Sequence, residues 1–181
     1  DKIIVSSDSK KILNIARKYG AETMIRNKKL AYDKVPTFNV IKNVLENLDY
    51  KVDYVCVVNP TSVFIKKKYI YESFKILKKK NYSAILSVCK YSHPIERSFK
   101  LNKKLELTFR YPKNQLRQTQ SFPESYYDAA QFSLSNAKFY TNLNFKKKTK
   151  LIGYVVNDYE TCDIDNKSDL IKAKKIFKKI R

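Results

Sequence analysis

Three observations point to an α/β fold with a mostly parallel sheet and helices on both faces. Short, β-branched or apolar runs recur at 3–7 (IIVSS), 54–58 (YVCVV), 83–89 (SAILSVC) and about 151–156. Most are followed by longer segments whose apolar residues recur every three to four positions, so strands alternate with helices. The length, 181 residues, suits one domain with a sizeable core.

The elements follow in order. Residues 3–7 read as a buried strand, and Asp8 offers a helix N-cap. Ile12, Ile15, Ala16 and Tyr19 then fall at helical spacing, and Gly20 stands where that helix would end. A second strand is expected at 22–25, followed by Arg26. Pro36 suits a first helical turn, and Ile41, Val44, Leu45 and Leu48 supply the stripe of the next helix. Residues 54–58 are apolar throughout, as in a strand covered on both faces. A helix over 67–80 carries Ile70, Phe74 and Leu77 on one side. Residues 97–136 break the rhythm: LELTFRY alternates as a strand does, and 112–136 is polar and aromatic. This segment is expected to leave the main sheet. The last helix turns Leu170, Ala173, Phe177 and Ile180 inward.

Composition excludes some functions. No apolar run approaches the roughly 20 residues of a membrane helix. The formal net charge of +21 suggests nucleic acid, but the basic residues are mostly lysines spread over every expected helix, not a stripe. Cys56, Cys89 and Cys162 lack metal-ligand spacing; Cys56 and Cys89 read as core thiols, and a reducing cytoplasm is expected.

The chemistry concentrates in YETCDIDNKSDL, residues 159–170. Asp163 and Asp165 stand two apart, and in extended backbone both carboxylates would face one point. That arrangement suits Mg²⁺, which takes one or two protein carboxylates and fills its other positions with phosphate and water. The competing reading makes Asp165 the N-cap of the last helix and Asp163 a solvated loop acid.

The chain resembles the cytidylyltransferases that activate nine-carbon sialic-type sugars, most closely the pseudaminic acid branch. The resemblance runs in register through IIVSSD at 3–8, RNKKLAYDKVPT at 26–37, VVNPTS at 57–62, FPESYYDAAQF at 122–132 and CDIDNKSDL at 162–170. It implies the nucleotide-diphospho-sugar transferase fold, Rossmann-like, with residues 1–181 forming one domain and 97–136 an insertion used for dimerisation and sugar binding. It also implies transfer of CMP from CTP to a nonulosonic acid with release of pyrophosphate, Mg²⁺ on Asp163 and Asp165 as the catalytic centre, and a cytoplasmic homodimer. Arg26 and Thr37 fall on nucleotide-holding positions; Asp8 reads as a helix cap or as a third nucleotide contact. Asn59, Thr61, Asp128 and Gln131 fall on the sugar side.

The departures bear on the sugar. Asn59 stands where sialic acid synthetases have glutamine and the pseudaminic branch an aromatic residue. Tyr127 replaces a histidine and Ala130 a glycine, and Arg117 is one position away from the branch's arginine, at Gln118. His93 reads as structural, and no general base is evident. The family's first strand and its phosphate-cradling loop have no counterpart here. They are expected to precede Asp1, so this span alone is expected to be inactive. N-acetylneuraminic, legionaminic and 3-deoxy-manno-octulosonic acids are the alternative sugars. A basic RNA-binding protein on a degenerate scaffold is the alternative from another class.

Overall fold

The computed structural model describes residues 1–79, 82–141 and 149–180. They divide into two compact units: residues 1–55 with 136–141, and residues 56–135 with 149–180.

In the first unit β1 (Ile4–Ser7) and β2 (Glu22–Ile25) pair in parallel, Ile4 opposite Glu22 and Ser7 opposite Ile25. Between them runs α1 (Lys10–Lys18). Its N-cap is Ser9, whose hydroxyl accepts from the Ile12 amide, and not Asp8 as expected. Its end is the one foreseen: Gly20 takes φ +81°, its N–H reaches Arg17 O, and Ala21 N–H reaches Ala16 O. Those are the two bonds of a Schellman motif. The helix buries Leu13, while Ile12, Ile15 and Tyr19 of the expected stripe are exposed. Helix α2 (Thr37–Glu46) half-buries Ile41, Val44 and Leu45 and packs on α4 (Lys138–Thr141), the Phe38 and Tyr140 rings 5.3 Å apart.

The second unit is built on a four-stranded sheet in the order β3 (Tyr54–Val58), β7 (Tyr126–Asn136), β4 (Ala84–Lys90), β8 (Leu151–Val155). β4 and β8 are parallel, and β7 is antiparallel to β4. The part that leaves the sheet is therefore shorter than 97–136. A separate hairpin, β5 (Phe99–Leu101) with β6 (Leu107–Phe109), stands outside it, but Tyr126–Asn136 is an interior strand of the sheet. β3 is an edge strand in which Cys56 and Val58 are exposed, so Cys56 is not a core thiol.

Cys89, Ala129, Phe132 and Val156 form the core, backed by Ile70 and Tyr69 of α3 (Lys67–Lys79) and by Tyr154 of β8. At Gly153 a Cβ would stand 2.9 Å from Val88 Cγ2, so β8 can approach β4 there only without a side chain. Helix α5 (Lys167–Ile180) buries Ala173; Leu170 and Phe177 of its expected stripe are exposed, and the Ile180 side chain lies outside the described atoms.

Candidate active site

Midway along β4, β7 departs from regular pairing. Val88 pairs with Asp128 and Leu86 with Ser133, so Ala129, Ala130, Gln131 and Phe132 all stand opposite Ser87. A bulge of this size leaves backbone groups without ladder partners, and buried ones must be satisfied otherwise. Side chains do so from both sides. The buried Ser87 hydroxyl accepts from the Gln131 and Phe132 amides, each at 3.1 Å. From the loop after β3, Asn59 Nδ2 and Ser62 Oγ donate to Ala130 O at 2.8 and 3.0 Å, and Ser62 Oγ also meets Gln131 O at 2.9 Å. Asp128 Oδ1 accepts from the Ala130 amide at 2.8 Å, and Ala130 sits at φ +52°. The left-handed region favours glycine, the residue the pseudaminic branch carries there.

The expected sugar-side residues are thus gathered around one feature, but mostly as its supports. Gln131 is 3% exposed and donates to Ala129 O, so its amide is turned into the unit and is not presented to a ligand. Asn59 and Asp128 each spend one polar atom on the bulge and keep an oxygen not engaged by any described residue. Thr61 is half-buried, with no hydrogen bond from its hydroxyl among the described residues. Tyr127, in the histidine's place, packs on the core with its ring 5.0 Å from that of Tyr91. His93 is exposed, Nδ1 3.0 Å from Ser92 Oγ.

Beyond β8 the chain makes a short 3-10 turn, Asp158–Glu160, and then runs irregularly to α5. Cys162 is buried, Asp163 exposed, Ile164 half-buried and Asp165 exposed, the alternation that turns both carboxylates outward. Asp165 is not the helix cap. Asn166 is: its Oδ1 accepts from the Ser168 and Asp169 amides at 2.9 and 3.2 Å. Asp169 Oδ2 reaches back to the Asp165 and Asn166 amides at 3.2 and 3.1 Å. This reciprocal box was legible as N-x-x-D, an aspartate standing in for the usual glutamate. It leaves both Asp163 and Asp165 carboxylates without a hydrogen bond or ion pair among the described residues.

Upstream, Glu160 accepts from Lys66 Nζ and from the Tyr69 hydroxyl. The Lys66 and Tyr69 bonds hold its carboxyl below the ordinary glutamate range. Donation to Glu160, then burial, pushes the Tyr69 phenol up to about 12.

The donor set fits Mg²⁺ that brings most of its own ligands. Two exposed, unpaired carboxylates supply hard oxygens, and no group of three or more His, Cys, Asp or Glu able to hold a metal occurs among the described residues. Such a pair suits a cation that brings phosphates and water as its remaining ligands.

In the first unit, Asp8 and Arg26 follow the paired ends of β1 and β2. Arg26 is not a loose surface cation: Nη2 donates to Ser6 O at 2.7 Å and Nε to Ser6 Oγ at 3.4 Å. Asp8 is exposed with a free carboxylate among the described residues. Thr37 is exposed at the start of α2, whose N-cap is Pro36, so it does not cap that helix. No hydrogen bond among the described residues joins Thr37 to Asp8 or Arg26.

The cytidylyltransferase family model matches residues 1–179. The chain belongs to the cytidylyltransferase family. It is an enzyme of the nucleotidyltransferase type with the fold of that class. This cytidylyltransferase is 26% identical over 182 aligned residues to the pseudaminic acid cytidylyltransferase of Campylobacter jejuni serotype O:2, covering 98% of this chain and 78% of that protein. It is 25% identical over 177 residues to the N-acylneuraminate cytidylyltransferase of Escherichia coli O18:K1:H7, covering 93% of this chain and 40% of that protein. Among solved structures it is similar to a CMP:2-keto-3-deoxy-manno-octonic acid synthetase complexed with CTP. There the TM-score is 0.71 at 10% identity, over 100% of this chain and 82% of the other, a likeness of fold. No helix among the described residues is long and apolar enough to cross a membrane.

Proposed function

We propose that this cytidylyltransferase transfers CMP from CTP to a nonulosonic acid, with pseudaminic acid the first candidate. The observation that carries the reading is the free carboxylate pair, Asp163 and Asp165, left over once Asn166 and Asp169 have capped α5. The anomeric hydroxyl of the sugar attacks the α-phosphorus of CTP. A new O–P bond forms, the α–β phosphoanhydride breaks, pyrophosphate leaves, and the hydroxyl proton passes to solvent. Asp163 and Asp165 would hold Mg²⁺, which supplies charge neutralisation at the phosphate. Arg26, fixed by Ser6, holds the cytidine end, with Asp8 and Thr37 beside the nucleotide. Asn59, Thr61 and Asp128 face the sugar, and Gln131 supports them from within.

The sugar is assigned from the pseudaminic acid relative. N-acetylneuraminic acid is the second candidate, favoured by the N-acylneuraminate relative. The enzyme works in the cytoplasm as a homodimer. The dimer is supported by the apolar surface of the hairpin segment, where Leu101, Leu105, Leu107 and Leu116 are all exposed. A monomer by light scattering at micromolar concentration would remove the dimer from this reading.

The test is pyrophosphate release by the full-length protein with CTP and each of pseudaminic, N-acetylneuraminic, legionaminic and 3-deoxy-manno-octulosonic acids. Release with CTP and pseudaminic acid is expected. Salt-sensitive RNA retention with no CTP consumption would sink the enzyme reading in favour of a basic RNA-binding protein.

A further inference from the structure

The Asp163–Asp165 segment is held by side chains on both sides of it. On its downstream side Asp169 holds the Asp165 and Asn166 amides, and the buried Cys162, directly before the segment, sets its Sγ 3.6 Å from Asp169 O. On its upstream side the hold is Glu160. Its side chain is only 23% exposed, and each of its oxygens has its own donor, Lys66 for one and Tyr69 for the other. Those donors sit on the first turn of α3 and just before it, and Tyr69 packs on the core with its ring 5.6 Å from that of Tyr154. Thr161 adds a local tie, its hydroxyl donating to Asp158 O at 2.9 Å. Between these anchors the two acids have no partner of their own among the described residues.

We infer that Glu160 is a positioning residue: by clamping the 3-10 turn to the start of α3 through Lys66 and Tyr69, it fixes the backbone that makes Asp163 and Asp165 converge on one cation. This rests on reading those two acids as the metal-holding pair. The physical reason is repulsion. Two carboxylates two residues apart gain by splaying unless the backbone prevents it, and a segment outside the sheet has no ladder to do so. A helix packed on the core provides the rigid reference that the segment lacks. Partners that orient metal-binding side chains typically change affinity or activity 10- to 100-fold when removed.

The test measures binding of Mn²⁺ alone by electron paramagnetic resonance, alongside the Mg²⁺ concentration for half-maximal pyrophosphate release, in the full-length protein. Glu160→Ala should raise the Mn²⁺ dissociation constant and the Mg²⁺ requirement, each by about 10- to 100-fold. Its turnover at saturating Mg²⁺ should stay close to that of the unsubstituted protein. Tyr69→Phe keeps the ring in the core and removes only the hydroxyl, so it should shift both in the same direction by less, whatever the folding of the alanine variant. Circular dichroism melts run alongside. A folded Glu160→Ala or Tyr69→Phe protein with unaltered Mn²⁺ binding and Mg²⁺ requirement overturns the inference and makes Glu160 a purely structural anchor. Asp163→Asn separates the two levels. If it abolishes Mn²⁺ binding while the Glu160 variant does not weaken it, only the positioning role falls. If Asp163→Asn leaves Mn²⁺ binding intact, the metal-holding pair falls, and the positioning role with it.

Discussion

The bulge at 128–132 and the acid segment at 160–169 both carry motif residues, yet they use their polar side chains in opposite ways. In the bulge the motif holds itself up. Asn59, Ser62, Ser87, Asp128 and Gln131 all spend hydrogen-bonding capacity on the backbone of Ala129–Phe132, because four residues opposite one leave amides and carbonyls that the ladder cannot satisfy. In the acid segment the neighbours do the holding. Glu160, Cys162, Asn166 and Asp169 fix the chain, and the two motif aspartates are left without a partner among the described residues. A polar residue in a binding motif is therefore not by that fact a ligand contact. The test is whether its atoms are already taken.

The widest separation between the two is expected from the acids themselves. Asp163→Asn and Asp165→Asn should each lower turnover by roughly a thousandfold, since the charge stabilisation at stake is several kcal/mol. Melting temperatures should stay nearly unchanged, because neither carboxylate has a partner among the described residues. Pyrophosphate release beside thermal melts measures both. A near-normal rate in both variants would remove the contrast.

The bulge should behave the other way round. Ser87→Ala deprives two backbone amides of their acceptor in a fully buried place and should cost about 2–4 kcal/mol of stability. Urea denaturation reads it directly. A loss below about 0.5 kcal/mol would mean the bulge is held by something other than this hydroxyl.

A smaller effect distinguishes the cap from the acid next to it. Asn166→Ala should lower stability by about 1 kcal/mol, whereas Asp165→Ala should leave it within about 0.5 kcal/mol. The reverse order in paired melts would restore Asp165 as the cap. The smallest effect is expected at Ala130. Its φ of +52° carries the left-handed penalty of about 1–2 kcal/mol, partly offset in glycine by the entropy lost on folding. Ala130→Gly should therefore stabilise the protein by about 0.5 kcal/mol. Destabilisation in the same urea titration would show that the alanine methyl makes contacts worth more than the strain.

Much of this was legible beforehand, and the failures have local causes. Both misplaced caps are one residue off, Asp8 for Ser9 and Asp165 for Asn166. In each case two adjacent residues can cap, and only the backbone course decides which oxygen faces the helix. The exposed side of α1 was misjudged because Ile12 and Ile15 are as apolar as Leu13, so period alone does not say which side of a short helix meets the rest of its unit. β7 was hidden by its own bulge: the extra residues interrupt the alternation of period two that marks a strand, and YYDAAQFSLSN reads as a polar, aromatic stretch.

By itself the sequence determined the alternation of strands and helices, the stop at Gly20, the cytidylyltransferase resemblance and the acid pair. These depend on residue type at fixed spacing along the chain, and spacing survives without coordinates. Tertiary structure alone decided that β7 lies inside the sheet, that Gln131 faces inward, that Ser87 and Ser62 satisfy the bulge, and that Glu160 ties the acid segment to α3. Each of these joins residues up to 94 positions apart, as in Lys66 and Glu160. The free energy of a buried hydrogen bond depends on which group the fold brings opposite, and that partner is not written in the local pattern.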